Sequence, residues 1–341
     1  LDLAPDDMDC MRALGRMAFE AGDFAEATGI YEQMIDRLGE DADEDELVEL
    51  YKTLGQIAFN GGEGDKARTY LENPGALKSL IELCTEQEYW QGVIDYAREL
   101  RDLLDDPLEK FDLQLRIGDT FLRRLEESDE AVTAYQSALD YQPDSKAAHF
   151  KIFQVLVDAE RYDDAVDILN RLVELEQDDK RKATYLGAVG DIFREKLEDI
   201  ERAVEFYNRA LDCDPSLLKL FRAIDEVLTR AQDWKALQRN YRTMLKRVDA
   251  DESQAALQHK LCFNLGEIYR TRLKQRQKAK EAFQIALQIK PKDKKSLQIL
   301  SGLYELDEQF TEAVEMERRQ LELSPDKIDH YRHLKRLFFE Q

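Results

Sequence analysis

The amino-acid sequence predicts an all-α protein, a solenoid of stacked antiparallel helix hairpins, and three observations lead to that prediction. Only seven prolines and fifteen glycines interrupt the 341 residues. Apolar residues recur at three- and four-residue spacing nearly throughout, as in 201–211, where one stripe ends before Pro215. Three segments also repeat one another at fixed spacing, with no alternating strand pattern between them.

Each of the three repeated segments predicts a helix, a short turn and a second helix. A glycine is followed at fixed distances by alanine, an aromatic residue, alanine, leucine and proline. The first copy reads Gly118, Ala131, Tyr135, Ala138, Leu139 and Pro143, and the other two start at Gly190 and Gly266. Glycine and alanine let the two helices approach closely, and the proline ends the unit. One hairpin cannot bury its face alone, so neighbouring hairpins must stack on it.

These residues resemble the motif of the tetratricopeptide repeat family, and weaker copies extend the resemblance over nearly the whole chain. The resemblance implies one right-handed superhelical α-solenoid over 1–341, of the kind found in large bacterial multi-repeat proteins. The strong units alternate with weaker ones, which indicates a duplicated two-repeat module, and each strong unit holds one extra residue between its helices. We place the repeats at 8–41, 48–72, 73–106, 111–145, 146–179, 183–217, 218–251, 259–293 and 294–327, with partial units at 1–5 and 328–341.

Two segments depart from the pattern. The run 61–64 is rich in glycine but lacks the Lys and Ser or Thr of a phosphate-binding loop, so we expect a flexible turn before a short helix that stops at 73–75. The run 40–46 is acidic at six of seven positions and predicts a solvated linker entering a helix N-terminus. Because the repeat is incomplete at 1–5 and 328–341, we expect the chain to be part of a longer protein.

Composition excludes several classes of protein. The 72 acidic and 49 basic residues give a net charge of −23, which argues against nucleic-acid binding and against docking on anionic membranes. No stretch approaches the about 20 apolar residues of a membrane span. The four cysteines lack paired spacing and predict reduced, buried thiols in a cytoplasmic protein.

Motifs for catalysis, metal binding or cofactor binding are absent, so we expect no enzyme activity, no metal and no cofactor. His330 and His333 stand three residues apart but have no further ligand nearby, and we expect them on the surface. Trp90 and Trp234 occupy equivalent positions at the start of a second helix. Packing between units is favoured there over ligand stacking.

The family resemblance implies that the first helix of each pair lines a concave surface where partners bind. Lys260 and Asn264 are the nearest match to the family's clamp for a C-terminal carboxylate, but the neighbouring units carry Arg222, Glu226 and Gln298, so the clamp is not supported. The candidate partner-binding residues are Arg12, Arg16, Lys52, Gln56, Asn60, Asp119, Arg123, Asp191, Arg194, Arg222, Glu226, Asn264, Glu267 and Arg270. Three acid–base pairs among them, 119 with 123, 191 with 194 and 267 with 270, are either ion pairs within one helix or a polar ladder that reads a peptide backbone.

The predicted function is a scaffold that binds a peptide or protein segment on its concave face. Two alternatives stay open: a recruitment or regulatory arm of a larger enzyme or signalling protein, and a regulator that senses a short peptide. The stretch 270–295 holds ten bases and two acids, whereas 1–60 holds sixteen acids and four bases. The basic stretch is either a solvated helix pair or a dock for an acidic partner, including the acidic N-terminal end of another copy in head-to-tail association.

Overall fold

The structure is a computed structural model that describes residues 7–39, 44–61, 74–248 and 253–340. These residues form eighteen α-helices and no strand, which confirms the all-α repeat fold. The helices group into two compact units, 1–175 and 176–341, and the single solenoid over 1–341 stays a prediction. Within the described ranges, no helix is both long enough and apolar enough to cross a membrane.

Antiparallel hairpins build both units. The first unit contains α1 (Met8–Glu20), α2 (Phe24–Leu38), α3 (Glu44–Asn60), α4 (Pro74–Glu86), α5 (Trp90–Leu103), α6 (Pro107–Thr120), α7 (Ser128–Tyr141), α8 (Lys146–Asp158) and α9 (Tyr162–Leu175). The second contains α10 (Asp179–Glu195), α11 (Ile200–Cys213), α12 (Leu218–Arg230), α13 (Trp234–Arg247), α14 (Ala255–Glu267), α15 (Arg276–Ile289), α16 (Lys294–Leu306), α17 (Phe310–Leu323) and α18 (Ile328–Glu340). We call α1, α3, α4, α6, α8, α10, α12, α14, α16 and α18 the first helices, and the others the second helices.

The first helices alternate in length along the chain. The short ones, such as α8 and α12, have 13 residues. Of the long ones, α10 has 17 residues, and α6 and α14 continue into five-residue π-helical turns at Phe121–Leu125 and Ile268–Arg272. This alternation follows the two-repeat module that the sequence predicts.

The four long helices α3, α6, α10 and α14 each begin four residues before the predicted start of their repeat, at 48, 111, 183 and 259 respectively. Aspartate caps explain two of these earlier starts. The Asp106 carboxylate accepts the backbone N–H of Leu108, and the Asp178 carboxylate accepts that of Arg181. Such caps satisfy amide groups that a helix start leaves unpaired, so the helix gains a turn.

The extra residue of each strong unit lies in the turn between its two helices. There the backbone N–H of Glu127 donates to the carbonyl of Phe121, six residues back. In a weaker unit the equivalent bond runs from Arg161 to Leu156, five residues back. The turns also hold a non-glycine residue with positive φ, for example Glu126 at 59° and Glu160 at 57°. The insertion is therefore accommodated where the first helix ends, which in α6 and α14 takes the form of a five-residue π-helical turn.

The glycines of the strong units make room for an aromatic ring. A Cβ on Gly118 would lie 2.4 Å from the ring of Tyr135, and one on Gly190 would lie 2.5 Å from the ring of Tyr207. Both rings are fully buried. The sequence predicts that glycine lets the two helices approach closely while aromatic residues fill the space between them, and the ring of the second helix lies directly against the glycine.

Both segments that depart from the repeat fall largely outside the described residues. Of the glycine-rich turn only Gly61 is described. The short second helix predicted before residue 73 lies outside the described residues. Pro74 begins α4, where the sequence predicted a helix end at 73–75. Of the acidic run, Glu44 already begins α3.

Candidate partner-binding face

Two acids of the predicted ladder are held by tyrosines of their own hairpins. The Tyr135 hydroxyl donates to Asp119 over 2.6 Å, and the Tyr207 hydroxyl donates to Asp191 over the same distance. Asp119 also accepts a hydrogen bond from Lys151 of the next repeat at 2.6 Å. The ion pair expected with Arg123 is thus replaced by one with Lys151. Both carboxylates take part in the packing of the hairpin.

These contacts shift the ionisation of the groups that make them. Burial of Asp119 raises its pKa, but hydrogen bonds from Lys151 and Tyr135 outweigh burial, so its pKa is below the ordinary value. Burial, followed by the hydrogen bond to Asp191, raises the pKa of Tyr207. The tyrosine therefore keeps its proton, and the aspartate serves as the acceptor.

The third strong unit shows why its acid behaves differently. Phe283 stands at the tyrosine position and has no hydroxyl, so Glu267 is free to pair with Arg270 through two bonds of 3.1 and 2.7 Å. In the second strong unit, Arg194 lies 3.5 Å from Asp191. Two of the three acid–base pairs are thus ion pairs within one helix.

The remaining candidates lie on the first helices, in several different environments. Arg12 pairs with Glu46 of α3 at 2.9 Å, Lys52 pairs with Glu49 at 2.8 Å, and Glu226 pairs with Arg230 at 2.8 Å. Gln56 is half-buried. Four exposed candidates make no ion pair within the described residues: Arg16, Asn60, Arg123 and Arg222.

Grooves open between successive first helices. One of about 310 Å³ lies between α4 and α6, one of about 450 Å³ between α12 and α14, and one of about 530 Å³ between α16 and α18. In each, a second helix supplies part of the lining: Leu100 of α5, Tyr241 of α13 and Glu317 of α17. The predicted residues Arg222 and Asn264 meet in the α12–α14 groove.

The α12–α14 groove combines an apolar lining with two cations. Phe221 of α12 and Leu257 of α14 line it, together with Arg222 and Lys260, one from each helix. Both cations are exposed. Asn264 uses its amide to donate to the Tyr241 hydroxyl at 3.3 Å. The groove thus offers apolar contact between two positive charges.

The α16–α18 groove is polar and contains a residue that the sequence analysis missed. Glu317 occupies the position that carries Tyr241 in α13, seven residues after the helix start, and is 3% exposed. Its carboxylate lies 2.6 Å from Nδ1 of His330 and 3.4 Å from Nδ1 of His333. His333 also approaches Glu305 at 3.0 Å. Alignment of the repeats could have found Glu317, because a glutamate replaces the aromatic residue there.

Both histidines are half-buried partners of carboxylates, so the expectation of surface histidines was wrong. They are drawn inward because burying the Glu317 carboxylate requires hydrogen-bond donors around it. In the described part of the chain, no group of three or more His, Cys, Asp or Glu side chains has an arrangement that could hold a metal ion.

The tryptophans and cysteines follow the sequence expectations in part. The guanidinium of Arg124 lies over the ring of Trp90 at 4.6 Å, and that of Arg272 lies over Trp234 at 4.4 Å. Each tryptophan therefore packs against the following repeat.

All four cysteines are free, but only Cys84 and Cys262 are buried. Cys10 and Cys213 are partly exposed and lie near helix ends. The expectation of four buried thiols is therefore wrong for these two.

The basic stretch 270–295 is divided by the structure into two groups. One group of bases lies before and at the start of α15, and the other lies after its end. The length of this 14-residue helix separates the two groups by about 20 Å. Arg276 and Lys280 both pair with Asp307, at 3.1 and 2.8 Å. Part of the positive charge is therefore neutralised within the chain.

Repeated antiparallel hairpins, grooves between their first helices and glycine–aromatic contacts within them define an all-α helical repeat protein. Models of the tetratricopeptide repeat match residues 122–187, 183–217 and 259–293. The chain is a protein with multiple tetratricopeptide repeats. Such repeats are scaffolds for protein–protein interaction, and that general role extends to this chain.

Several solved structures match this chain at low sequence identity. MamA from Desulfovibrio magneticus RS-1, residues 41 to the end, is 20% identical with a TM-score of 0.31, over 59% of this chain and 94% of that chain. The C-terminal part of a TPR repeat-containing protein from Cytophaga hutchinsonii is 11% identical with a TM-score of 0.34, over 84% and 98%. The Cut9–Hcn1 hetero-tetramer of the APC/C is 16% identical with a TM-score of 0.31, over 95% of this chain and 74% of that chain. No curated protein matches the chain.

Proposed function

We propose that the chain binds segments of partner proteins along the face formed by its first helices and catalyses no reaction itself. The observation that carries this proposal is the set of grooves between successive first helices, one in the first unit and two in the second. Each is large enough to receive side chains of a peptide. The first two combine apolar lining with polar rims, whereas the third is lined by polar side chains.

The three grooves differ in chemistry, which favours distinct contacts along one scaffold. Between α4 and α6, Lys78 faces Glu109 at 3.6 Å across the groove. Between α12 and α14 the two cations flank apolar side chains, and between α16 and α18 the buried Glu317 binds histidines. A partner segment that runs along the first helices of the second unit would contact two of these grooves.

A selection of random peptides displayed on phage against the 341-residue chain tests this proposal. Selected peptides are then measured against charge reversals in the three grooves, Lys78→Glu, Arg222→Glu and Lys327→Glu. The control is Arg242→Glu, an exposed position on the second helix α13. We expect at least one groove reversal to weaken binding and the control to leave it unchanged. Peptides that respond only to the control would overturn the proposal.

The acidic partner and head-to-tail self-association predicted for 270–295 remain proposals of the same kind. The group around Lys290, Lys292 and Lys295, beyond the end of α15, supports an acidic partner, since these bases outnumber nearby Asp293. Sedimentation of the chain at low and high salt tests self-association. An assembly held by charge must weaken as salt rises.

A further inference from the structure

We propose that the α12–α14 groove takes an acidic segment in which an apolar side chain lies between acidic groups. This inference rests on the proposed function and adds the chemistry of one partner segment. It starts from the two walls of the groove. Arg222 comes from α12 and Lys260 from α14, and the lining between them includes Phe221 and Leu257.

Both wall cations lack an internal counter-ion. Within the described chain, neither Arg222 nor Lys260 makes an ion pair or a hydrogen bond, whereas Arg230 of α12 pairs with Glu226 and Arg247 of α13 pairs with Asp212. Asp225, the acid that also lines this groove, accepts the hydrogen bond of the buried Tyr241 hydroxyl. The two positive charges are therefore available to a ligand.

The lining of the groove favours an apolar side chain between the acidic groups. Phe221 is 7% exposed and packs edge-on against Tyr241, with ring centres 5.0 Å apart, so this part of the lining is a buried aromatic pair. Leu257 is half-buried and keeps apolar surface toward solvent. Covering that surface with a ligand side chain is favourable by about 25 cal/mol per Å² of carbon removed from water.

The arrangement does not favour a grip on a single terminal carboxylate. Asn264, which would supply an amide to such a group, already donates to the Tyr241 hydroxyl. Long polyanions are also disfavoured, because two cations stand in a chain of net charge −23. In a segment with acidic groups on both sides of one apolar side chain, the acidic groups would pair with the two cations and the apolar side chain would contact the apolar lining.

The other two grooves lack this combination. In the α4–α6 groove, Lys78 is paired with Glu109, and Arg116 donates to Thr85 at 3.2 Å. In the α16–α18 groove, Lys294 donates to Ser324 at 2.7 Å, and the lining includes buried Glu317. Of these three grooves, the α12–α14 groove alone combines two cations that make no ion pair with an apolar lining.

The test uses fluorescence anisotropy of the 341-residue chain with three labelled peptides. The first has a leucine between two pairs of glutamates, the second has lysines in place of the glutamates, and the third has glycine in place of the leucine. We expect the first peptide to bind about tenfold more tightly than either of the others. Its affinity should fall as salt rises. Equal binding of the first two peptides, or no binding of the first, would overturn the inference.

Substitutions locate the binding and keep the test independent of folding. Arg222→Glu and Lys260→Glu should each weaken the first peptide about tenfold, since each replaces an attraction by a repulsion. Lys219→Glu, an equal charge change at an exposed position of α12 outside the groove, should have no effect. Equal effects of Lys219→Glu and Arg222→Glu would also overturn the inference. Phage-selected peptides that depend on the other grooves would then still support the proposed function.

Discussion

The bond between the Tyr207 hydroxyl and Asp191 joins the two helices of one hairpin, with a fully buried tyrosine as donor. The sequence offered Asp191 as part of a peptide-reading ladder, a role in which its loss would leave stability unchanged. The structure predicts otherwise. Asp191→Ala should lower the free energy of unfolding by about 1–2 kcal/mol, because the hydroxyl loses its acceptor. Urea denaturation followed by circular dichroism measures this loss.

The chain supplies a matched control at the equivalent position of the third strong unit. Glu267 faces Phe283, which has no hydroxyl, so Glu267→Ala removes only its exposed pair with Arg270. We expect that variant to lose about 0–0.5 kcal/mol. In the background of Tyr207→Phe, Asp191→Ala should also cost less. Equal losses in all three experiments would contradict the structural role.

Asp119 makes stability depend on pH. Its pKa is lowered in the folded chain because bonds from Lys151 and Tyr135 outweigh burial. A carboxyl group whose pKa falls on folding adds stability above its unfolded pKa of about 4, and this stability disappears as the pH falls through the folded pKa. The difference in unfolding free energy between the wild type and Asp119→Asn should therefore be largest near pH 7 and shrink below pH 4. Urea titrations at pH 7, 5 and 3 test this, and a constant difference would contradict it.

At the scale of the helix pair, the glycine of each strong unit is required by the ring opposite it. A Cβ at Gly190 would meet the Tyr207 ring at 2.5 Å, so Gly190→Ala should cost about 1–3 kcal/mol. Gly29 in α2 has nothing within 4 Å of such an atom. Gly29→Ala should stabilise by up to about 1 kcal/mol, because alanine favours a helix. Thermal melts of both variants decide the point, and equal signs would contradict it.

The turns between helices offer a second prediction at this scale. Glu126 has φ of 59°, a conformation that costs an L-residue energy and glycine little. Glu126→Gly should therefore raise stability by about 0.5–1 kcal/mol. The same change at exposed Gln136 within α7 should lower it by about 1 kcal/mol. If both glycine variants lose stability in urea, the strain assigned to the turn is absent.

At the scale of the whole molecule, each compact unit has its own buried core. Residues 176–341 contain nine described helices, with Tyr207, Phe283 and Leu300 buried among them. Repeat proteins depend on contacts between neighbouring repeats, so a run of several repeats is enough to fold. We expect 176–341, produced alone, to be helical and to unfold cooperatively in urea. A weak helical signal or a broad, gradual transition would contradict this expectation.

Several helix starts could be predicted from the sequence, whereas the polar contacts between helices could not. Helices α1, α8, α12 and α16 start where the repeat pattern predicts, at residues 8, 146, 218 and 294, because each repeat carries its own apolar stripe. The lysine that binds Asp119 stands 32 residues further along the chain, in the next repeat. Counting positions on one helix selects Arg123 and misses Lys151.

The repeat, the all-α fold and the assignment of first and second helices were determined by the sequence alone, since periodic apolar residues and the spacing of glycine, alanine and proline are local. The tertiary structure decided which polar residues remain open to a partner. Asp119 and Asp191 are used within the hairpins, whereas Arg222 and Lys260 line a groove and make no ion pair within the described residues. The reason is physical. A polar side chain is available to a partner only if no neighbouring helix pairs with it, and the neighbouring helices that decide this lie far away in sequence.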